Sequence, residues 1–170
     1  LYVEDTVLVE GQSILLPARV LAKALGASVA WANNTVTFLA GSGPIASGSS
    51  YYNSDSVYWL SRIINAESGN QPLSGKIAVG NVVLNRVASA LFPNTVKGVV
   101  FQKNQFTPVS NGSIYKTPNE QSVIAAKLCL DGANTVGNSL YFVNPRVSPN
   151  SWASRNRPYV ATIGAHAFFA

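Results

Sequence analysis

Histidine and cysteine are almost missing from this chain of 170 residues: His166 and Cys129 stand alone, and methionine is absent. One thiol cannot close an internal disulfide, and one thiol with one imidazole cannot hold zinc, haem or an iron–sulfur cluster. Soft-ligand metal catalysis is thereby excluded, and no cofactor or metal is expected. Charged residues are also scarce, at 11% against roughly a quarter in ordinary soluble domains. Apolar residues reach 47%, which excludes a disordered chain and provides for a sizeable core. Long apolar runs are missing too. Ser, Asn, Arg or Gln interrupts each one well short of the roughly 18 residues of a membrane span, so no transmembrane role is expected. Without Met, and with Leu1 first, the chain reads as a processed or trimmed one.

What is present is unevenly distributed. Ala40-Gly41-Ser42-Gly43-Pro44 and Ser47-Gly48-Ser49-Ser50 are small residues and turn formers, so residues 42–55 read as a flexible linker between units at 1–41 and 56–170. The first unit carries two basic and three acidic residues, the remainder ten basic and four acidic. The basic character therefore belongs to the second unit.

In the first unit, Val7 and Val9 and then Ile14 to Leu16 read as strand, and Pro17 opens a helical pattern of Val20, Leu21, Ala24 and Leu25 that Gly26 closes. Val29, Trp31, Val36 and Phe38 alternate around Asn33-Asn34, a hairpin signature. The stretch from Leu15-Leu16-Pro17 through Leu25-Gly26-Ala27-Ser28-Val29-Ala30-Trp31 to Thr35-Val36-Thr37-Phe38 resembles the copper amine oxidase N-terminal-like module of secreted bacterial wall proteins. That resemblance implies a small α/β attachment or spacing unit, and these residues hold no His or Cys for copper.

In the second unit, Val57, Leu60, Ile63 and Ile64 repeat at helical spacing up to Glu67, with Asp55 or Ser56 as the expected N-cap and Gly69 as the stop. A second, strongly apolar helix runs from Ser74 through Val87. Gly80 inside it costs about 1 kcal/mol against Ala, which points to a close helix contact. Asn94 is placed to cap a short helix through Phe101. Thr117-Pro118-Asn119-Glu120 reads as a capping box ahead of a helix that Gly132 ends. Leu140 to Val143, Tyr159 to Ile163 and Ala167 to Phe169 are β-prone. The expected class is α+β, mainly helical with a small late β element.

This unit has only four carboxylates: Asp55, Glu67, Glu120 and Asp131. Asp55 falls where a cap belongs, Glu120 completes the capping box, and Asp131 lies at a helix end beside Gly132. Glu67 alone lacks a structural task. It occupies the last turn of an apolar helix, where the helix dipole and partial burial both favour the protonated carboxyl that a general acid needs. The ordinary structural reading is an ion pair with Arg62, Arg86 or Lys76, and spacing alone slightly favours that reading.

A resemblance over residues 57–169 shifts the balance. Leu60-Ser61-Arg62-Ile63-Ile64-Asn65-Ala66-Glu67-Ser68-Gly69 and Gly75-Lys76-Ile77 through Asn85-Arg86-Val87 resemble the spore-cortex-lytic and cell-wall hydrolase family of the SleB/CwlJ type. Phe92-Pro93-Asn94-Thr95, Gln105-Phe106-Thr107-Pro108-Val109, Thr117 to Glu120, Leu140 to Pro145 and Ile163 to Phe168 follow in the same order. The resemblance implies a lysozyme-like, lytic-transglycosylase-like fold that cuts the β-1,4 bond after N-acetylmuramic acid in peptidoglycan, with Glu67 as catalytic acid. It also implies a secreted protein of the cell wall or spore cortex.

Most glycosidases use two carboxylates roughly 5 to 9.5 Å apart. The census leaves no second one, which favours a lytic transglycosylase in which Glu67 acts as acid and then as base while the muramic 6-hydroxyl closes an anhydro ring. A muramidase-type hydrolase and a non-catalytic wall-binding protein are the alternatives. Candidate substrate contacts are Gln105, Phe106 and Thr107, with Tyr141 and Asn144 as a second pair separated by Phe142. Phe106 serves equally well as core. His166 reads as a buried or interface histidine and Cys129 as a core thiol. Arg146, Arg155 and Arg157 lie among Trp152 and Tyr159, yet no nucleic-acid module accompanies them. Anionic glycan, rather than nucleic acid, is the expected partner of the positive charge, and a monomer is expected.

Overall fold

The computed structural model describes residues 8–10, 13–15, 18–41 and 52–170, and the chain divides into two compact units. In the first, β1 (Leu8–Glu10) pairs antiparallel with β2 (Ser13–Leu15), α1 (Ala18–Ala24) follows, and β3 (Ser28–Ala32) pairs antiparallel with β4 (Thr35–Leu39). Asn33 and Asn34 form the two-residue turn with φ of 49° and 60°. Both central residues are left-handed, as a type I′ turn requires and as asparagine tolerates. Gly26, at φ 70°, ends α1. The expected opening residue Pro17 lies outside the described residues, as do positions 42–51 of the expected linker.

The rest of that linker belongs to the second unit. Helix α2 spans Ser54–Ser68, and its N-cap is Asn53, whose side chain accepts from Ser56 N at 2.9 Å. Asp55 and Ser56, the expected caps, lie inside the first turn. Asp55 instead accepts from Trp59 Nε1 one turn later, at 3.1 Å. Asparagine caps as well as aspartate does, so the boundary was set by which acceptor comes first.

Helix α3 (Leu73–Ala88) is central, packed against α2 and against α6 (Glu120–Leu130). Ile77, Ala78, Val79, Val82 and Val83 are buried along it. At Gly80 the three helices meet: a Cβ there would lie 2.6 Å from Cys129 Sγ on α6 and 2.9 Å from Ile64 Cδ1 on α2. The close contact expected from sequence is present, and it explains the glycine. Burial pushes the Cys129 thiol up to about 12, so the thiol behaves as a core group.

Two further caps differ from expectation. Helix α4 (Val96–Val100) is capped by Thr95, which accepts from Gly98 N at 3.0 Å, and not by Asn94. Helix α6 is capped by Asn119, which accepts from Ser122 N at 2.8 Å, so the Thr117–Glu120 capping box does not form. Asn119 N is held in turn by Asn65 Oδ1 at 3.0 Å, which draws the start of α6 onto the end of α2 and sets the helix two residues later.

The late β element is one antiparallel sheet in the order β5 (Tyr141–Val143), β7 (His166–Phe169), β6 (Tyr159–Ile163). Central β7 is buried throughout. Between β6 and β7, Ala165 N donates to Gln71 Oε1 in the α2–α3 connection at 2.8 Å, which fastens the sheet to the helical layer. The short helices α5 (Thr107–Ser110) and α7 (Trp152–Asn156) complete the unit, and sequence periodicity predicted neither, since one helical turn carries no period. Among the described residues, no helix is long and apolar enough to cross a membrane.

Candidate active site

Glu67 sits in the last turn of α2, on the wall of a cavity of about 510 Å³. The lining includes Arg86 from α3, Gln105, Phe106 and Thr107 at the start of α5, Phe142 and Asn144 from and just beyond β5, and His166 from β7. Helices therefore supply one wall and the sheet supplies the other. Among the described residues, no other carboxylate lines the cavity. Asp131 is held elsewhere, accepting from Tyr52 at 2.8 Å.

The half-buried Glu67 carboxyl makes no hydrogen bond or ion pair among the described residues. The three cations weighed as its partners are engaged otherwise. Arg62 lies 3.6 Å from the centroid of the Tyr58 ring, and buried Lys76 donates to Gln71 O and Gln121 Oε1. Arg86 donates from Nε to Leu140 O at 2.7 Å and from Nη1 to Gln105 Oε1 at 3.1 Å. Burial raises the Glu67 pKa above the ordinary carboxylate value. A carboxyl whose pKa is raised in this way, facing a cavity with both polar and apolar lining, is chemically suited to donate a proton.

Five of the six residues expected from sequence line this cavity: Glu67, Gln105, Phe106, Thr107 and Asn144. Phe106 is both wall and core, 7% exposed and tilted against Phe142 with centroids 6.4 Å apart. Tyr141 is not among the lining residues. Strand alternation gives Phe142 and Asn144 one face and Tyr141 the other, which the pairing of Tyr141 with Asn144 overlooked. Tyr141 packs instead on Trp152 at 5.5 Å and Phe92 at 6.4 Å. Arg157 lies over both Tyr141 and Trp152, at 5.2 and 5.0 Å, so part of the late basic cluster is bound into aromatic packing.

Arg86 and His166 were not put forward as site residues by sequence reasoning. Arg86 carried a signal: like Glu67, it is a charge near the end of an apolar helix. It is 5% exposed, and burial lowers its pKa. Its guanidinium lies 5.0 Å from the Phe92 centroid and 5.4 Å from that of Phe106. Val147, Ser148 and Ser151 come from irregular chain and had no signal.

A helical layer with one half-buried glutamate, unpaired among the described residues, facing a small sheet across a cavity defines a class, and sequence comparison agrees: the chain belongs to the cell wall hydrolase family, whose profile matches residues 70–169. Among its relatives, the spore cortex-lytic enzyme of Bacillus cereus is 40% identical over 117 residues, covering 69% of this chain and 45% of that protein. The cell wall hydrolase CwlJ of Oceanobacillus iheyensis is 31% identical over 127 residues, covering 70% of this chain and 89% of that protein. The solved catalytic domain of the germination-specific lytic transglycosylase SleB from Bacillus anthracis is 38% identical, with a TM-score of 0.65 over 74% of this chain and 100% of that one. The chain spans a little under half the length of the cortex-lytic relative from Bacillus cereus.

Proposed function

We propose that this chain cleaves the glycan strands of peptidoglycan at the β-1,4 bond between N-acetylmuramic acid and N-acetylglucosamine, as a lytic transglycosylase. One observation carries the reading: among the described residues, Glu67 is the single carboxylate on the cavity, half-buried and without a partner. Its raised pKa suits it to protonate the leaving glycosidic oxygen. The resulting carboxylate then takes the proton of the muramic 6-hydroxyl as that oxygen closes on C1, giving a 1,6-anhydro end. The intramolecular attack needs no second carboxylate to activate water. Relatives named as cortex-lytic enzyme, cell wall hydrolase and lytic transglycosylase support the substrate class. On this reading the protein works outside the cytoplasm, on vegetative wall or spore cortex. Residues 1–41 serve as a wall-attachment or spacing module, with the strand, helix and hairpin order in support.

Mass spectrometry of the muropeptides released from purified peptidoglycan and from decoated spore cortex tests the proposal. Anhydromuramic ends, lost in Glu67→Gln, are expected. Reducing muramic ends would instead indicate hydrolysis by water, and no release from either material would favour a wall-binding role without catalysis.

A further inference from the structure

His166 is the chain's one histidine and lines the same cavity as Glu67. It opens β7, is 7% exposed, and stands edge-on to Phe142 and Phe168 with centroids 5.2 and 6.4 Å away. Nδ1 is sealed from solvent and has no hydrogen-bond partner. Among the described residues Nε2 makes no hydrogen bond, and it is not sealed, so it is the ring nitrogen that a molecule entering the cavity can reach. A neutral imidazole carries its proton on one nitrogen only. A proton on Nδ1 would bury an unpaired N–H, which folded proteins rarely tolerate, whereas a proton on Nε2 leaves only a buried lone pair. The imidazolium would need both protons and would meet the same penalty.

We propose that His166 is a substrate-binding residue, a neutral imidazole fixed as the Nε2–H tautomer, which donates one hydrogen bond to the N-acetyl carbonyl of a glycan residue held against Glu67. The neighbouring surface favours that group over a hydroxyl. Phe142, against which the imidazole packs, and Phe106 beside it give an apolar wall for the acetyl methyl, and an amide carbonyl is a strong neutral acceptor. The same geometry denies His166 a part as general base or nucleophile partner. The proposal rests on the peptidoglycan reading and deepens it.

Because there is one imidazole, long-range ¹H–¹⁵N correlation spectra of the labelled chain report on His166 without assignment ambiguity. The Glu67→Gln variant is used so that ligand survives. A single Nε2–H tautomer from about pH 6 to pH 8 is expected, with Nε2 and its proton shifting saturably on addition of N-acetylglucosaminyl-N-acetylmuramyl peptide and not with its de-N-acetylated counterpart. An Nδ1–H tautomer, an imidazolium at neutral pH, or a muropeptide that shifts Phe142 and Thr107 while leaving the imidazole unmoved would overturn the proposal. No shift at any cavity residue would take down the glycan reading and this proposal together. In turnover, His166→Phe keeps the ring packing and loses the donor. It should raise KM about tenfold with kcat within about twofold, and His166→Asn should restore part of the loss. A fall in kcat alone, or a lowered thermal midpoint that accounts for the whole effect, would count against a binding role.

Discussion

Arg86 donates to Gln105 Oε1, and this one bond decides which end of the Gln105 amide faces the cavity. An arginine has no acceptor, so the carbonyl oxygen is the end it holds, and the NH₂ is left as a donor toward whatever occupies the space. Gln105→Glu would form an ion pair with Arg86 and keep the side chain in place while removing that donor. KM for glycan is then expected to rise with little change in thermal midpoint. Arg86→Lys keeps the charge but cannot span Leu140 O and Gln105 together. It should lower stability by about 1.5–3 kcal/mol for a charge-assisted bond lost, read by denaturant unfolding, and raise KM as well.

Glu67 offers a prediction with two signs. On the proposed reading Glu67 is the general acid, a role that contributes about 10²–10⁴-fold, so Glu67→Gln should lower kcat by that factor, measured by muropeptide release. Stability should move the other way. The folded carboxyl has a raised pKa, so the native state binds the proton more tightly than the unfolded state, and stability falls as pH climbs from the unfolded value to the folded one. Glu67→Gln removes that loss, and its thermal midpoint should exceed wild type at neutral pH and converge with it below about pH 4.

The reverse sign applies to His166. Its folded pKa is depressed by burial, so the unfolded chain binds the proton first and stability is lost as pH falls below the ordinary histidine value. Wild type should therefore show a shallow decline in midpoint below about pH 6.5 that His166→Phe lacks, measured by calorimetry across that range.

Gly80→Ala should destabilise although alanine is the better helix former. Overpacking against Cys129 and Ile64 costs about 1–3 kcal/mol, more than the roughly 1 kcal/mol of helix propensity gained. Cys129→Ala in the same chain relieves the nearer contact, so a double-mutant cycle should show strong coupling.

Sequence reading reached the helical half of the site more fully than the sheet half. Glu67 could be isolated because an apolar helix leaves a charge conspicuous and because the other three carboxylates had tasks, although Asp55 proved to hold Trp59 instead of capping. The helix starts were misplaced by one to three residues wherever asparagine or threonine competed as cap, at Asn53, Thr95 and Asn119. Tyr141 lies outside the cavity lining, and a three-residue strand leaves its inward face open to either reading in sequence. Arg86 was read as a partner for a carboxylate, but its acceptors are a backbone carbonyl and an amide from distant segments, which no local pattern encodes.

Ala165 and Gln71, joined by one hydrogen bond, lie 94 positions apart. The helical layer closes shorter loops, Asn65 and Asn119 being 54 positions apart, and can form earlier than the wall bearing Phe142 and His166, which must wait for the longer loop to close. In refolding, catalytic activity should thus return later than the helical circular dichroism signal. Gln71→Leu, which unfastens the wall, should lengthen that lag more than it lowers the final helical content.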